Sequence, residues 1–331
     1  MKESSYSKYN KFYEQQRVII DKKLASALNK REPESLYGPS SYILESSGKR
    51  LRPLLVILSA MAVGTKPHKV YNASLSVEML HNFTLVHDDI MDNADLRRGN
   101  LTLHKKYNLN TAILAGDSLL AVAYEYLLKD CYINAQQVIC SFTNGLVKVC
   151  EGQSLDTEFE RQANVTLEEY IDMITKKTAA LLQTCCEIGA YLGNGKNNDI
   201  KSLSDYGKHL GIAFQIQDDL LDITADKAEF GKRIGGDLLE GKKTFLFLVA
   251  LDKAVGKDKE DLLKVIKNKG IRSNQIEKYK RLYEKLGVLD ESKKAIKKYT
   301  QNALRSIDNL SNKSRIEIFY WLADFLIKRN K

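Results

Sequence analysis

Two short segments of this chain set carboxylates at a spacing that suits a hard cation. The first is His87-Asp88-Asp89-Ile90-Met91-Asp92 and the second is Gln217-Asp218-Asp219-Leu220-Leu221-Asp222. Both read DDxxD, and both end an apolar stretch, LHNFTLV and LGIAFQI. In a helix residues i and i+4 share a face, so Asp88 and Asp92 project together, as do Asp218 and Asp222. Like charges at that spacing repel, so something positive must compensate. Mg2+ suits the role: it takes oxygen ligands, keeps several waters, and binds one or two carboxylates plus substrate phosphates. With Asp at about one residue in seventeen, a DDxxD arises by chance in about one chain in fourteen of this length. Two at the ends of apolar helices are far rarer. Zinc fits worse, because neither segment offers two His or Cys ligands at the required spacing. His87 is read as a supporting or structural group, since magnesium prefers oxygen.

Cations surround these carboxylates in the sequence. Gly48-Lys49-Arg50-Leu51-Arg52-Pro53 places three within four positions at an expected helix start. Arg97-Arg98-Gly99 follows the first motif, Lys176-Lys177-Thr178 opens an apolar stretch, and Lys232 and Lys242 flank the loop after the second motif. Arg grips phosphate oxygens with a two-pronged fork and Lys acts as a point charge. Each taken alone reads as a solvated surface charge. Their meaning comes from combination with two magnesium-type aspartate sets, which bind substrate phosphates.

The elements that must position these groups read as helices. Of 331 residues only Pro33, Pro39, Pro53 and Pro67 are proline, and a long proline-free tract favours helix after helix over a β-sandwich. Helical apolar spacing marks 16–30, Lys69 to Asp92, Asn110 to Leu128, Ala135 to Phe159, Leu167 to Leu192 and Ser204 to Ile223. Pro33 and Pro39 are expected to bracket a loop, with Ser40 capping a segment that Gly48 and Pro53 divide into two helices. No linker divides the chain, so a single domain over 1–331 is expected. Five cysteines without zinc spacing read as reduced, mostly buried thiols, with Cys185-Cys186 as small helix fillers.

Net charge is +9, but residues 251–331 hold 21 Lys/Arg against 11 Asp/Glu, so the remainder carries −1. The excess reads as solvated faces of Lys-rich helices, and no interleaved aromatics form a base-stacking platform. Nucleic-acid binding is therefore the distant alternative. No uncharged apolar run reaches the length of a membrane span; the longest, Thr178 to Gly195, is broken by Glu187. The polar N-terminus has no apolar signal core, and a cytoplasmic location is expected.

In order and spacing, GKRLRP at 48–53, LHNFTLVHDDIMDNADLRRG at 80–99, AGDSLL at 115–120, EGQSLD at 151–156, KTAAL at 177–181, FQIQDDLLD at 214–222 and GKRIGGDLLEGKKT at 231–244 resemble the trans-isoprenyl diphosphate synthases, or polyprenyl synthetases. The resemblance spans nearly the whole chain and is greatest to archaeal short-chain members, the geranylgeranyl diphosphate synthases. It implies an all-α, isoprenoid synthase-type helical bundle around a deep central cavity, the two aspartate motifs facing each other across its mouth. It further implies about three Mg2+ ions per active site, bridging these carboxylates to an allylic diphosphate. Asp88, Asp92 and Asp218 match the metal ligands, with Asp89 and Asp222 in outer or weaker roles. Arg97, Lys177, Thr178, Gln215, Lys232 and Lys242 match positions that hold the allylic diphosphate. Lys49, Arg52, His81 and Arg98 match the isopentenyl diphosphate site. The catalytic set carried over is Asp88, Asp92, Asp218, Lys177 and Arg97, and a homodimer is implied.

The resemblance also implies that Phe83 and Thr84, five and four residues before Asp88, form the floor that stops chain growth. A large residue followed by a small one resembles C20 formation, with C15 or C25 products as alternatives. The departures are Ser47 in place of a glycine, Leu101 in place of a proline, Asn108 in place of a glycine, and Arg233 in place of a proline. A terpene cyclase would lack the second full motif and the GKRLRP clamp. A non-catalytic subunit would have lost an aspartate motif.

Overall fold

The proline-poor sequence folds almost entirely into helices. The computed structural model describes residues 2–225 and 235–327, with side chains from Tyr6 onward. In chain order its helices are α1 (Lys2–Ser26), α2 (Glu34–Leu44), α3 (Leu51–Ala62), α4 (Tyr71–Met91), α5 (Leu103–Lys106), α6 (Leu109–Leu128), α7 (Ala135–Arg161) and α8 (Leu167–Ile174). They continue with α9 (Ala180–Leu192), α10 (Asn197–Thr224), α11 (Gly236–Glu240), α12 (Phe245–Lys253), α13 (Gly256–Asn268), α14 (Ile276–Lys285), α15 (Val288–Ile307) and α16 (Ile316–Ile327). Among the described residues the only strands are β1 (Leu96–Arg97) and β2 (Asn100–Leu101), an antiparallel pair with Arg97 opposite Asn100.

The chain divides into two compact units. One comprises Met1–Thr143, Thr184–Ser204 and Asn309–Trp321; the other comprises Asn144–Gln183, Asp205–Asp308 and Leu322–Lys331. In the first, α4 starts against a remote cap. The Asp130 carboxylate accepts from the Ala73 N–H at 2.9 Å, a donor that a helix start leaves open, and from the Asn72 side chain through Nδ2 at 2.8 Å. Where α3 meets α9, a Cβ at Gly189 would lie 2.3 Å from the Val56 carbonyl, so the two backbones pack in direct contact. In the second unit Phe159, Ile216, Phe245, Phe247, Leu262 and Tyr283 belong to one buried apolar cluster.

Several local expectations are corrected. Pro33 and Pro39 do not bracket a loop: Pro33 is the N-cap of α2 and Pro39 lies inside it. Ser40 is buried in that helix and donates its hydroxyl to the Leu36 carbonyl at 2.8 Å, so it caps nothing. The segment from Leu167 to Leu192 is helical throughout, but its centre, Thr175–Ala179, is a π-helical turn. Of the cysteines only Cys185 and Cys186 are buried, whereas Cys140 and Cys150 are exposed on α7. Burial pushes the Cys186 thiol up to about 12, which fits an inert filler. Among the described residues one helix, α6, is long and apolar enough to cross a membrane by length and composition, although Asp117 and Glu125 interrupt it.

The Lys-rich C-terminal helices compensate part of their own charge. Hydrogen bonds from Lys278 Nζ at 2.6 Å and Lys264 Nζ at 3.0 Å hold the Asp261 carboxyl down to about 2. A depressed carboxylate stabilises the fold above its unfolded pKa of about 4, and that contribution disappears as pH falls toward 2. The full shift corresponds to about 2.5 kcal/mol, which screening around the exposed lysines reduces to about 1 kcal/mol. Asp261→Asn is therefore expected to lower the urea midpoint at pH 7 and to match the wild-type protein near pH 2. An undiminished gap at that acidity would rule the ion pairs out as its source.

Candidate functional site

In the first unit the GKRLRP segment turns a corner before α3. Arg50 has a left-handed backbone, φ 46°, unusual for a residue with a Cβ. Its buried guanidinium holds that conformation by donating to Asp21 Oδ1 at 2.7 Å, Glu78 Oε1 at 2.8 Å, and the carbonyls of Leu44 at 3.0 Å and Ser46 at 2.7 Å. Tyr13 donates its hydroxyl to the Lys49 carbonyl at 2.9 Å. Arg50 is thus a structural charge, and its neighbours Lys49 and Arg52 are presented differently. Lys49 is exposed, and Arg52 is half-buried with a buried Nε that has no hydrogen-bond partner.

A tight turn brings a second arginine to the same place. Arg98 and Gly99 both have positive φ, 53° and 81°, the signature of a two-residue hairpin turn. Arg98 donates from Nη1 to the Ser47 carbonyl at 2.9 Å. A Cβ at Gly48 would lie 2.9 Å from that same Nη1, so this glycine makes room for the arginine. His81, on α4, shares the cluster. Burial and the guanidinium groups of Arg52, Arg98, Arg97 and Arg50 push its pKa well below the ordinary histidine value, so it is neutral. Of the four residues matched to isopentenyl diphosphate, the structure gathers Arg52, His81 and Arg98 around one anion-ready cluster, with Lys49 on its rim.

The first aspartate motif ends α4. Asp88 is half-buried and Asp92 is exposed at the C-cap, its N–H donating to the Asp88 carbonyl at 2.8 Å. Asp89 points elsewhere. It is 1% exposed and takes a 2.6 Å hydrogen bond from Arg97 Nε, while its Oδ2 is buried without a partner. Burial raises its pKa despite Arg97. Arg97 is therefore braced on the middle aspartate. Phe83 and Thr84 are half-buried one turn earlier, and Thr84 donates its hydroxyl to the His81 carbonyl at 2.8 Å.

The second unit repeats this division of labour. Asp218 is half-buried, whereas Asp219 is 7% exposed and takes donors from Tyr170 Oη, Gln215 Nε2 at 3.0 Å and the Phe245 N–H at 3.1 Å. Burial nonetheless pushes Asp219 up to about 6. Thr178 donates to Gln215 Oε1 at 2.8 Å, so Asp219 orients two of the matched residues in series. Asp222 accepts the N–H groups of Gly236 at 3.1 Å and Asp237 at 3.2 Å, which secures the start of α11. Lys177 Nζ lies 2.5 Å from Asp156 Oδ2. The π-helical turn that carries Lys177 and Thr178 is wedged between two glycines. A Cβ at Gly152 would lie 2.2 Å from the Lys177 nitrogen, and one at Gly211 would lie 2.5 Å from Ala179 Cα. Lys242 pairs with Glu240 at 2.7 Å, whereas Lys243 is buried with Nζ on the Phe159 carbonyl. Lys232 and Arg233 lie outside the described residues.

Among the described residues no three His, Cys, Asp or Glu side chains come together closely enough to hold a metal alone. The half-buried first aspartates and Asp92 are oxygen donors of the kind Mg2+ prefers when water and phosphate complete its shell. In each unit taken by itself, such donors fit magnesium and not a soft metal.

The family model described as polyprenyl synthetase matches residues 33–286. The chain belongs to the polyprenyl synthetase family. A geranylgeranyl diphosphate synthase from Sulfolobus acidocaldarius is 40% identical over 302 residues, 89% of this chain and 91% of that protein. A geranylfarnesyl diphosphate synthase from Natronomonas pharaonis is 35% identical, covering 96% of each chain. The crystal structure of a geranylgeranyl pyrophosphate synthetase from Pyrococcus horikoshii superposes with a TM-score of 0.88 at 33% identity, over 99% of this chain and 100% of that one. The all-α class expected from the sequence is borne out, and the polyprenyl synthetase is an enzyme.

Parts of this polyprenyl synthetase leave little trace in its sequence. Glu78 is a buried carboxylate facing Arg50, Arg52 and Arg98. A lone Glu within the buried run Val77-Glu78-Met79-Leu80 was the available signal. Asp237 carries a pKa pushed well above the carboxylate range by burial and by Asp219 and Asp222; its place in GGDLLEGKKT marked it. Asp156 was marked only by its place at the end of EGQSLD, and Tyr170 gave no local sign, since its partner lies 49 residues away.

Proposed function

We propose that the enzyme condenses isopentenyl diphosphate head-to-tail with allylic diphosphates (dimethylallyl, geranyl, farnesyl) and releases diphosphate, with C20 geranylgeranyl diphosphate as the product. The cluster of Arg52, His81 and Arg98 carries this reading. It is cationic, one of its guanidinium nitrogens is buried without a partner, and the reaction needs a second diphosphate held apart from the one that leaves.

Asp88, Asp92 and Asp218 would hold Mg2+, about three ions by family likeness. Bound there, the metal would neutralise the charge that builds on departing diphosphate. Arg97, Lys177, Thr178, Gln215, Lys232 and Lys242 bind the allylic diphosphate. Arg97, braced by Asp89, and Lys177, braced by Asp156, are pre-organised for the negative charge that appears as the carbon–oxygen bond breaks. Lys49, Arg52, His81 and Arg98 orient isopentenyl diphosphate so that its double bond attacks the allylic cation, and positioning supplies much of the acceleration. The departing diphosphate accepts the proton lost in the last step. Phe83 and Thr84 stop the growing chain on the apolar side of α4, where water must be kept from the cation.

Incubation with Mg2+, an allylic diphosphate and radiolabelled isopentenyl diphosphate, followed by chromatography of the products, tests the reading. A C20 alcohol after dephosphorylation is expected. A C15 or C25 product, the second of which the Natronomonas relative's name suggests, would move the assignment within the family; no incorporation at all would overturn it. The enzyme is further proposed to be a homodimer, for which exposed Leu109, Ile113 and Leu114 on α6 supply an apolar face. Light scattering at twice the 37.5 kDa chain mass is the expected result, and a monomer at micromolar concentration would overturn it.

A further inference from the structure

The imidazole of His87 sits where a side chain is missing. Gly116 lies in the interior of α6, with a backbone that any residue could adopt, and there glycine is less favourable than alanine. What excludes a side chain is the ring. A Cβ at Gly116 would stand 2.4 Å from His87 Cε1 and 2.9 Å from its Nδ1. The ring is also held by its own helix. Nδ1 lies 3.1 Å from the Phe83 carbonyl, and Nε2 lies 3.5 Å from Asp117 Oδ1 on α6. One turn earlier on α4, the Phe83 ring lies against His87, with centroids 4.7 Å apart and planes at 53°, a tilted arrangement that aromatic pairs favour.

We propose that His87, seated on Gly116, is a positioning residue that holds the Phe83 ring in place and thereby sets product length. The inference rests on the reading of Phe83 as the floor under the growing chain. His87 touches neither diphosphate nor metal in this role. It acts through Phe83 by filling the space behind that ring and keeping it from swinging along α4. Gly116 provides the room, and the Phe83 carbonyl orients the ring through Nδ1. The residue beside the aspartate motif thus belongs to the apolar end of the site.

Product chromatography with geranyl diphosphate and radiolabelled isopentenyl diphosphate tests this on the full-length enzyme. Phe83→Ala is expected to raise the share of products longer than C20 by about tenfold, and His87→Ala to raise it about threefold or more, in the range that one altered apolar contact controls. Gly116→Ala is expected to change the same ratio, while Phe83→Ala/Gly116→Ala matches Phe83→Ala alone, because the seat matters only through the ring. A readout independent of turnover accompanies these. Gly116→Ala should lower the melting temperature, and adding His87→Ala should recover most of the loss by vacating the space its Cβ needs. If Phe83→Ala lengthens the product while His87→Ala and Gly116→Ala both leave the ratio within twofold of wild type, the positioning role is overturned and the floor stands. If Phe83→Ala changes nothing, floor and positioning role fall together.

Discussion

Asp88→Ala is expected to reduce turnover by about a thousandfold or more while leaving the protein folded. A lost magnesium ligand removes stabilisation of the departing diphosphate, and several kcal/mol of barrier correspond to that factor. The side chain is half-buried at the end of α4, and the main-chain bond from Asp92 to its carbonyl does not depend on the carboxylate. Its neighbour should lose stability too. Asp89 is buried on Arg97, so Asp89→Ala strands a guanidinium and is expected to cost about 3 kcal/mol of stability as well as activity. Incorporation of radiolabelled isopentenyl diphosphate and thermal melting, measured on both variants, separate the two. Retained turnover in Asp88→Ala would sink the metal assignment.

Arg50→Ala is expected to be the most destabilising single change near the site. It leaves Glu78, 3% exposed, without its main charge partner and frees a left-handed corner that the four hydrogen bonds had held. Removing one partner of a buried ion pair costs about 3–5 kcal/mol, which for a chain of 331 residues corresponds to a fall in melting temperature of about 4–7 °C. Arg50→Lys should recover only part, because one ammonium cannot reach two carboxylates and two carbonyls arranged for a planar fork. Arg52→Ala, by contrast, is expected to raise KM for isopentenyl diphosphate without comparable loss of stability. Were Arg50→Ala to melt like the wild-type protein, the anchoring role would be wrong.

The contrast between Arg50 and Arg52 shows how far the sequence carries. Motif spacing was enough to find the cationic segment, the two aspartate sets and the helices that end in them. It could not tell which arginine of GKRLR faces inward, because the deciding partners, Asp21 and Glu78, are 29 and 28 residues away and leave no periodic trace. The same distance problem concealed the bracing of Asp219 by Tyr170. Local chemistry was harder still where two rules compete. Proline at 39 argued for a loop, yet α2 continues through it. Serine at 40 suited a cap, yet its hydroxyl is used inside the helix. Asn108 illustrates a departure from the family pattern that keeps the local structure. Its side chain accepts the Thr111 N–H at 2.8 Å and starts α6, a task glycine would perform less well.

The turn at Thr175–Ala179 fixes a phase difference in the chain. A π turn carries one residue more than an α turn, and each helical residue rotates the backbone by about 100°. Helices α8 and α9 therefore follow two different wheels, although they read as one unbroken stripe. Tyr170 belongs to the earlier wheel, and everything from Ala180 onward to the later one. A homologue with one residue fewer here would hold the same composition and still turn its lysine away from the aspartate on α7. At this point of the chain an insertion or deletion changes which side chains face the chemistry, whereas most single substitutions leave that choice intact.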